Sequence, residues 1–363
     1  MMDQVVASTQ TNVSTPDQTA TYGVNPLPVW LVLVGNVVMV CSLWLLGAGG
    51  MAAKLILLVF WLLMIVGFGG RLRFSGGAVV GGLLLGGLMA LLTTGNGVGH
   101  EKIRLIGNLV MLPVGLAGGM LIGRDCLRVM MPALVVYLPL SSSFYLTHEG
   151  MRLNHPFLFL GLFALCSVTV WRGGKVVAGI AALAVLLSQT RIAVLAMMIN
   201  LAGRVRFSSI WTWMVGFCVI AATAWMVADH LPRLLMTHGS GRLSFWRDFA
   251  DMWIAAPTTH KWLGFGAGSV EDILSGYASF ASFGALHNDH FRMLFETGII
   301  GAVLWGAGWL VMIAVVRPSR LSMCILLSVM VTMVTDNSLN YGHYLMCCGI
   351  AAGIAAQTDA PHG

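Results

Sequence analysis

The chain has 363 residues, of which 58% are hydrophobic and only 9% charged, against a usual charged share of about 25%. With a mean hydropathy of +0.85, such a composition excludes a water-soluble domain and points to a polytopic membrane protein. The formal charge of +6 says less than the placement of its cations, and no nucleic acid is expected as a partner.

Residues 1–26 are rich in Thr, Ser and Gln and carry no Lys or Arg, which predicts a disordered cytoplasmic tail. No basic segment precedes an apolar run here, so a cleaved signal peptide is not expected. Apolar runs then follow at 27–47, 53–69, 75–93, 105–122, 129–145, 156–171, 176–189, 192–203 and 208–228, and again at 298–316, 321–335 and 342–356. A helix crosses the bilayer with roughly 20 apolar residues. The expected fold is therefore all-α: a bundle of about twelve transmembrane helices, nine before residue 229 and three over 297–356, with 357–363 as a second tail.

Charge orients the bundle. Arg71, Arg73, Arg124, Arg128, Arg172, Lys175, Arg204, Arg206, Arg317 and Arg320 fall in alternate loops. They share one side only if the chain reverses near Ser188–Arg191, which splits 175–203 into two short spans. By the positive-inside rule that side is the cytoplasm, with both termini there. Lys54 lies near a span end, where a lysine can snorkel. Of the seven cysteines, none has zinc-ligand spacing with histidine, and buried small hydrophobes are the expected reading.

The long connection 230–296 then faces outward, and loops of this length usually carry function. Within it, "RLSFWRDFADMWIAA" places Leu243, Trp246, Phe249 and Trp253 at helical spacing. This predicts an amphipathic helix with its aromatic side in the headgroup layer. The alternating glycines of "GFGAGS" at 264–269 lack the strand–helix context of a dinucleotide fingerprint, and a flexible loop is expected. Further outward polar clusters are His100–Arg104 and the group His148, Glu149, Arg152, Asn154 and His155.

The densest polar stretch is "HNDHFRMLFETG", from His287. Asn288 or Asp289 can cap a helix there, and Arg292 and Glu296 stand at pairing spacing. Gly298 and Gly301 permit a turn into the next span. His287 suits general-base work, since its unperturbed pKa is about 6.5; it suits capping or a surface position equally well. His287 and His290 lack a third ligand, so no metal and no other cofactor is expected. Arg191 is open between snorkelling and anion binding. Arg242 is open between a solvated loop and an anion ligand, because a cation at a helix start opposes the macrodipole.

In their order, "SQTR", "GRLSFWRDFADMWIAAP", "GFGAGS" and "HNDHFRMLFETGIIG" resemble the O-antigen ligase-like and polysaccharide polymerase family of bacterial inner-membrane glycosyltransferases. The resemblance covers roughly residues 175–316. Family members often carry Ser directly before the first arginine, whereas Gln189 and Thr190 intervene here. The resemblance implies a metal-independent transfer from an undecaprenyl-diphosphate-linked glycan to an acceptor glycan or the lipid A core, at the periplasmic face. It implies His287 as catalytic base, with Asn288, Glu296, Gly298 and Gly301 in support. Arg191 and Arg242 would bind the donor diphosphate, with Arg247 and Arg152 as further candidates. Ligase and polymerase share these parts. Membrane lipids and other polysaccharide-assembly membrane proteins are the remaining partners implied. The competing reading is a glycan transporter or flippase, which equally fits twelve spans.

Overall fold

The computed structural model describes residues 27–47, 49–68, 76–94, 99–147, 150–204, 242–276 and 285–359. These residues hold fourteen α-helices and one two-stranded sheet. The first part comprises α1 (Val29–Val40, prolonged by a π-turn over Cys41–Leu45), α2 (Met51–Phe68), α3 (Gly76–Thr94), α4 (Gly99–Leu121), α5 (Asp125–Ser141), β1 (Phe144–Thr147), β2 (Gly150–Leu153), α6 (Pro156–Val168), α7 (Gly174–Leu187) and α8 (Arg191–Ala202). The second comprises α9 (Arg242–Ala255), α10 (Thr258–Leu263), α11 (Ser269–Gly276), α12 (Asp289–Val316), α13 (Arg320–Thr335) and α14 (Gly342–Asp359).

The fold is mostly helical, and every expected apolar run among the described residues is occupied by a helix. The run 208–228, the tail 1–26, Arg71, Arg73 and Arg206 lie outside the described residues. Among the described residues, four helices are long and apolar enough to cross a membrane by themselves: Met51–Phe68, Gly76–Thr93, Lys102–Leu121 and Asp289–Val316. Others, such as α6, α7, α8 and α13, are apolar but shorter. Leu55, Leu63, Val66, Leu83, Val303 and Leu310 stand exposed on the outer helices. Contiguous bare apolar surface of this kind is what a bilayer covers.

Three expectations are corrected. Residues 144–147 and 150–153 pair as two antiparallel strands, with Tyr145 opposite Arg152, in a chain expected to be all-α. α14 runs to Asp359, so the tail expected from 357 begins as helix. Lys54 does not snorkel: it is 3% exposed, and its Nζ donates to the Asn340 carbonyl at 2.9 Å. The split of 175–203 into two helices is as expected, with Ser188–Thr190 as the turn.

Hydrogen bonds tie the bundle at two ends. At one, Leu27 N–H donates to Asp125 Oδ2 at 2.7 Å and Arg320 donates to the Ala202 carbonyl at 2.9 Å. The described basic loops with Arg124, Arg128, Arg204, Arg317 and Arg320 collect there. At the other end, Gln189 Nε2 donates to the Met151 carbonyl at 3.2 Å. There the starts of α2, α4, α6 and α14 surround a common space.

The centre of the bundle is the α4–α14 pair. Gly115 and Gly119 of α4 face Gly349 and Gly353 of α14, each meeting the partner's backbone directly. Small residues spaced four apart on both helices let the backbones approach, which is how helices associate where lipid supplies no hydrophobic drive. A Cβ on Gly119 would strike the Ile350 carbonyl, and one on Gly353 the Leu116 carbonyl. Gly119→Val should therefore lower stability by about 1–3 kcal/mol, the usual range for overpacking. Gly306→Ala, where nothing lies within 4 Å, should leave it unchanged. Thermal unfolding of the detergent-solubilised protein reads both, and an unshifted Gly119→Val midpoint would show that the two helices do not meet this closely.

Candidate functional site

The polar stretch at 287–296 caps an apolar helix, and its first turn is built locally. Asn288 is extended and its side chain accepts from the Phe291 N–H at 2.9 Å, a standard N-cap. His287 precedes it with φ 54°. Histidine tolerates the left-handed region better than most residues, yet such positions concentrate at functional sites. The only other non-glycine residues with positive φ among those described are His155 and Gln189, which also lie at helix approaches.

His287 is held by a segment far away in sequence. Its backbone N–H donates to Asn337 Oδ1 at 2.8 Å. Its ring Nδ1 faces Asn337 Nδ2 at 3.5 Å and Asp336 Oδ1 at 4.0 Å. Asp336 Oδ1 also accepts the Asn337 N–H at 2.8 Å, which fixes the carboxylate. Asp289, fully buried, accepts the Leu339 N–H at 2.8 Å and so anchors the same connector. His290 turns the other way. Trp305 donates to its Nδ1 at 3.0 Å and its Nε2 meets the Met330 carbonyl at 3.1 Å, the pattern of an Nε2–H tautomer. The two histidines of this stretch therefore have different jobs, and His290 is a structural tie between α12 and α13.

On the same helix, buried Arg292 and Glu296 begin a chain of paired charges. Arg292 is 3.3 Å from Glu296 Oε1 and 2.8 Å from Glu271 Oε1, and Arg104 stands 3.5 Å from that same Glu271 oxygen. The i,i+4 pair was legible from spacing; Glu271, on α11, was not. Gly298 then breaks the helix with φ 66° and ψ −168°, a conformation essentially confined to glycine. A helix broken there leaves its last carbonyls without intrahelical donors. The glycine strap supplies them: Phe265 N–H donates to the Phe295 carbonyl at 3.0 Å and Gly266 N–H to the Glu296 carbonyl at 2.9 Å. Gly268 N–H adds a bond to Glu296 Oε1 at 3.1 Å. Residues 264–268 are thus fixed in place, correcting the expected flexible loop. Gly301 packs on the Thr297 side chain one turn further on.

The aromatic side of α9 is also corrected. Of that side, Phe249 is buried and Trp246 and Trp253 are half-buried against Phe245, Val270, Leu274, Leu286 and Phe295, so protein packs where headgroups were expected. Phe249 meets Phe295 edge-on at 5.1 Å, and Phe265 stacks on Phe295 at 4.5 Å.

The expected arginines come from separate elements. Arg191 is exposed at the first position of α8. Arg152 lies on β2, beside the turn that precedes α8. Arg247 points from the outer face of α9, 3.9 Å from Asp251, with 82% of its side chain exposed. Arg242 opens α9, and its side chain lies outside the described residues. His155, N-cap of α6, is held below its ordinary pKa by burial, against a raising contribution from its hydrogen bond to the Ser141 carbonyl. Among the described residues no three His, Cys, Asp or Glu side chains converge as metal ligands.

Sequence reasoning missed the connector 336–343, "DNSLNYGH", although so polar a run between two apolar ones is itself a signal. No protein-family model matches the chain, and no curated protein matches its sequence.

The ion-pair chain yields a test. Arg292→Met leaves Glu296 buried without its cation and should cost about 3–5 kcal/mol, the usual result of orphaning one buried partner. Arg292→Met/Glu296→Gln removes the orphaned charge and should recover part of that loss. Unfolding midpoints in detergent decide it; a double variant worse than the single by the full cost of a second deletion would mean the two side chains act independently.

Proposed function

We propose that the protein is a membrane glycosyltransferase that moves a glycan from an undecaprenyl-diphosphate carrier to an acceptor sugar hydroxyl, as an O-antigen ligase or as an O-antigen or exopolysaccharide polymerase. The observation that carries the reading is the setting of His287: a left-handed residue at the mouth of an apolar helix, its Nδ1 edge turned to Asp336 and Asn337. A base needs its ring oriented, and a neighbouring carboxylate stabilises the imidazolium that forms. The family resemblance supplies the reaction.

In this scheme the acceptor oxygen attacks the anomeric carbon as His287 Nε2 takes its proton. The bond from the acceptor oxygen to the anomeric carbon forms, the bond from that carbon to the diphosphate breaks, and the lipid diphosphate leaves with the electron pair. Diphosphate is a sufficient leaving group without an acid, so the remaining task is stabilising its charge. We assign that task to Arg191, Arg242 and Arg152, since a guanidinium pairs with phosphate oxygens in a fork. Arg247, solvated and beside Asp251, is the weakest of the set. The site end faces the periplasm of a bacterial inner membrane and the basic loops face the cytoplasm.

His287→Ala should reduce transfer by roughly two to four orders of magnitude, measured on purified protein with lipid-linked donor and acceptor in the presence of chelator. Asp336→Asn should cost less, since it orients the base without touching substrate. Turnover equal to wild type in His287→Ala removes the base from the scheme. Turnover abolished by chelator alone favours metal chemistry instead. Orientation is read separately: a cysteine at position 205 should be labelled only from the cytoplasm and one at 275 only from outside, and the reverse pattern overturns the topology.

A further inference from the structure

The left-handed backbone of His287 is held from two directions. The peptide group joining Leu286 to His287 has two polar ends, the Leu286 carbonyl and the His287 N–H, which point in opposite directions when the peptide is trans. The N–H donates to Asn337 Oδ1 at 2.8 Å. The carbonyl accepts from Trp246 Nε1 at 2.6 Å. Leu286 is buried, and a buried carbonyl left without a donor is costly. One peptide plane is thus gripped at both ends, by a helix forty residues earlier and by a connector fifty residues later.

The rotation that follows this plane is φ of His287, held at 54°. A histidine free to choose prefers negative φ. If the carbonyl end is released, the plane can turn over, and the imidazole turns with it, away from Asp336 and Asn337. Asn337 does not prevent this alone, because one hydrogen bond to the N–H is a pivot rather than a clamp. The indole N–H, not the bulk of the ring, is what position 246 supplies. Trp253, two turns further along α9, packs on the same aromatic cluster, yet its Nε1 is buried without a hydrogen-bond partner. Packing there does not demand a bonded indole, so the short bond from Trp246 serves the Leu286 carbonyl. Trp246 also stands one turn after Arg242, which opens α9.

We propose that Trp246 is a positioning residue for His287: its indole N–H fixes the Leu286–His287 peptide so that the ring stands where it can take the acceptor proton. In the transfer reading on which this rests, His287 is the base and Arg242 belongs to the donor site. Trp246 acts through His287 and not on substrate. α9 is then the common support of both parts, since the helix opened by a phosphate-binding arginine also sets the base.

The test uses the full-length protein in dodecyl maltoside and two readouts. The first is independent of turnover: carbethoxylation of each histidine by diethyl pyrocarbonate, followed by peptide mass spectrometry. Trp246→Phe keeps an aromatic ring and removes the N–H. His287 should then be modified roughly fivefold faster than in wild type, the scale of one hydrogen bond lost, while His260 on α10 keeps its wild-type rate. Trp253→Phe, an equal cut on the same cluster, should leave both rates unchanged. An unchanged His287 rate in Trp246→Phe overturns the proposal whatever happens to activity. The second readout is transfer from the undecaprenyl-diphosphate-linked glycan to the acceptor. Trp246→Phe should lower kcat roughly tenfold and leave KM within about twofold, as misplacing a catalytic group does without loosening substrate. Added to His287→Ala, it should lower the residual transfer no further, because residues acting through one group are not additive. A full second loss in the double variant means that Trp246 acts by another route and overturns its role through His287. If His287→Ala itself transfers as wild type does, the transfer reading falls, and faster labelling of His287 in Trp246→Phe still establishes the hold on the ring.

Discussion

The arrangement depends on one buried cation. Arg292 stands at the head of an apolar helix with 3% of its side chain exposed, where an unpaired guanidinium would be costly. It is retained by bringing two carboxylates to itself from different directions. Glu296 comes from its own helix by spacing alone. Glu271 comes from α11 and draws Arg104 of α4 into the same chain. Once Glu296 is fixed there, its second task follows: it accepts the Gly268 N–H and pins the glycine strap. The strap in turn satisfies the carbonyls that the Gly298 break exposes. Remove the cation and each later step loses its reason. The segments 264–276 and 287–298 are therefore a single unit.

That unit needs a rigid floor, which the glycine faces of α4 and α14 provide. Backbones in direct contact over Gly115, Gly119, Gly349 and Gly353 cannot slide without collision. Because α14 is locked against α4, the connector that precedes it is locked as well. Asp336 and Asn337 reach His287, Leu339 reaches Asp289, and Asn340 reaches Lys54. A close contact deep in the bundle thus sets the position of a ring at its surface, one link of backbone at a time. A mutation at the glycines would be felt at His287 without touching it.

What could be read from the sequence was whatever lies within one turn of itself. The Asn288 cap, the Arg292–Glu296 spacing and the glycine at 298 are all local, and each is found as its spacing implies. The partners of His287 come from fifty residues away, and no spacing rule joins 287 to 336. Periodicity showed that α9 has an aromatic face, but a pattern cannot say whether lipid or protein covers it; Phe295 and its neighbours do. Alternating glycines marked a backbone of unusual freedom at 264–268, yet the freedom serves close approach to Glu296 rather than mobility. Lys54 looked like a span end because its distance from the helix start is short. That end is roofed by the connector, which the linear sequence places nearly three hundred residues later.

The same roof explains why the polar residues divide into two groups. Asp336 is turned toward His287, while Asn340, Tyr341 and His343 of the same segment border a polar cavity. The division costs little, because the connector is anchored by Asp289 and Asn337 and needs no bulk of its own. The ring of His287 and the cavity bordered by Asn340, Tyr341 and His343 thus take their positions from one short connector.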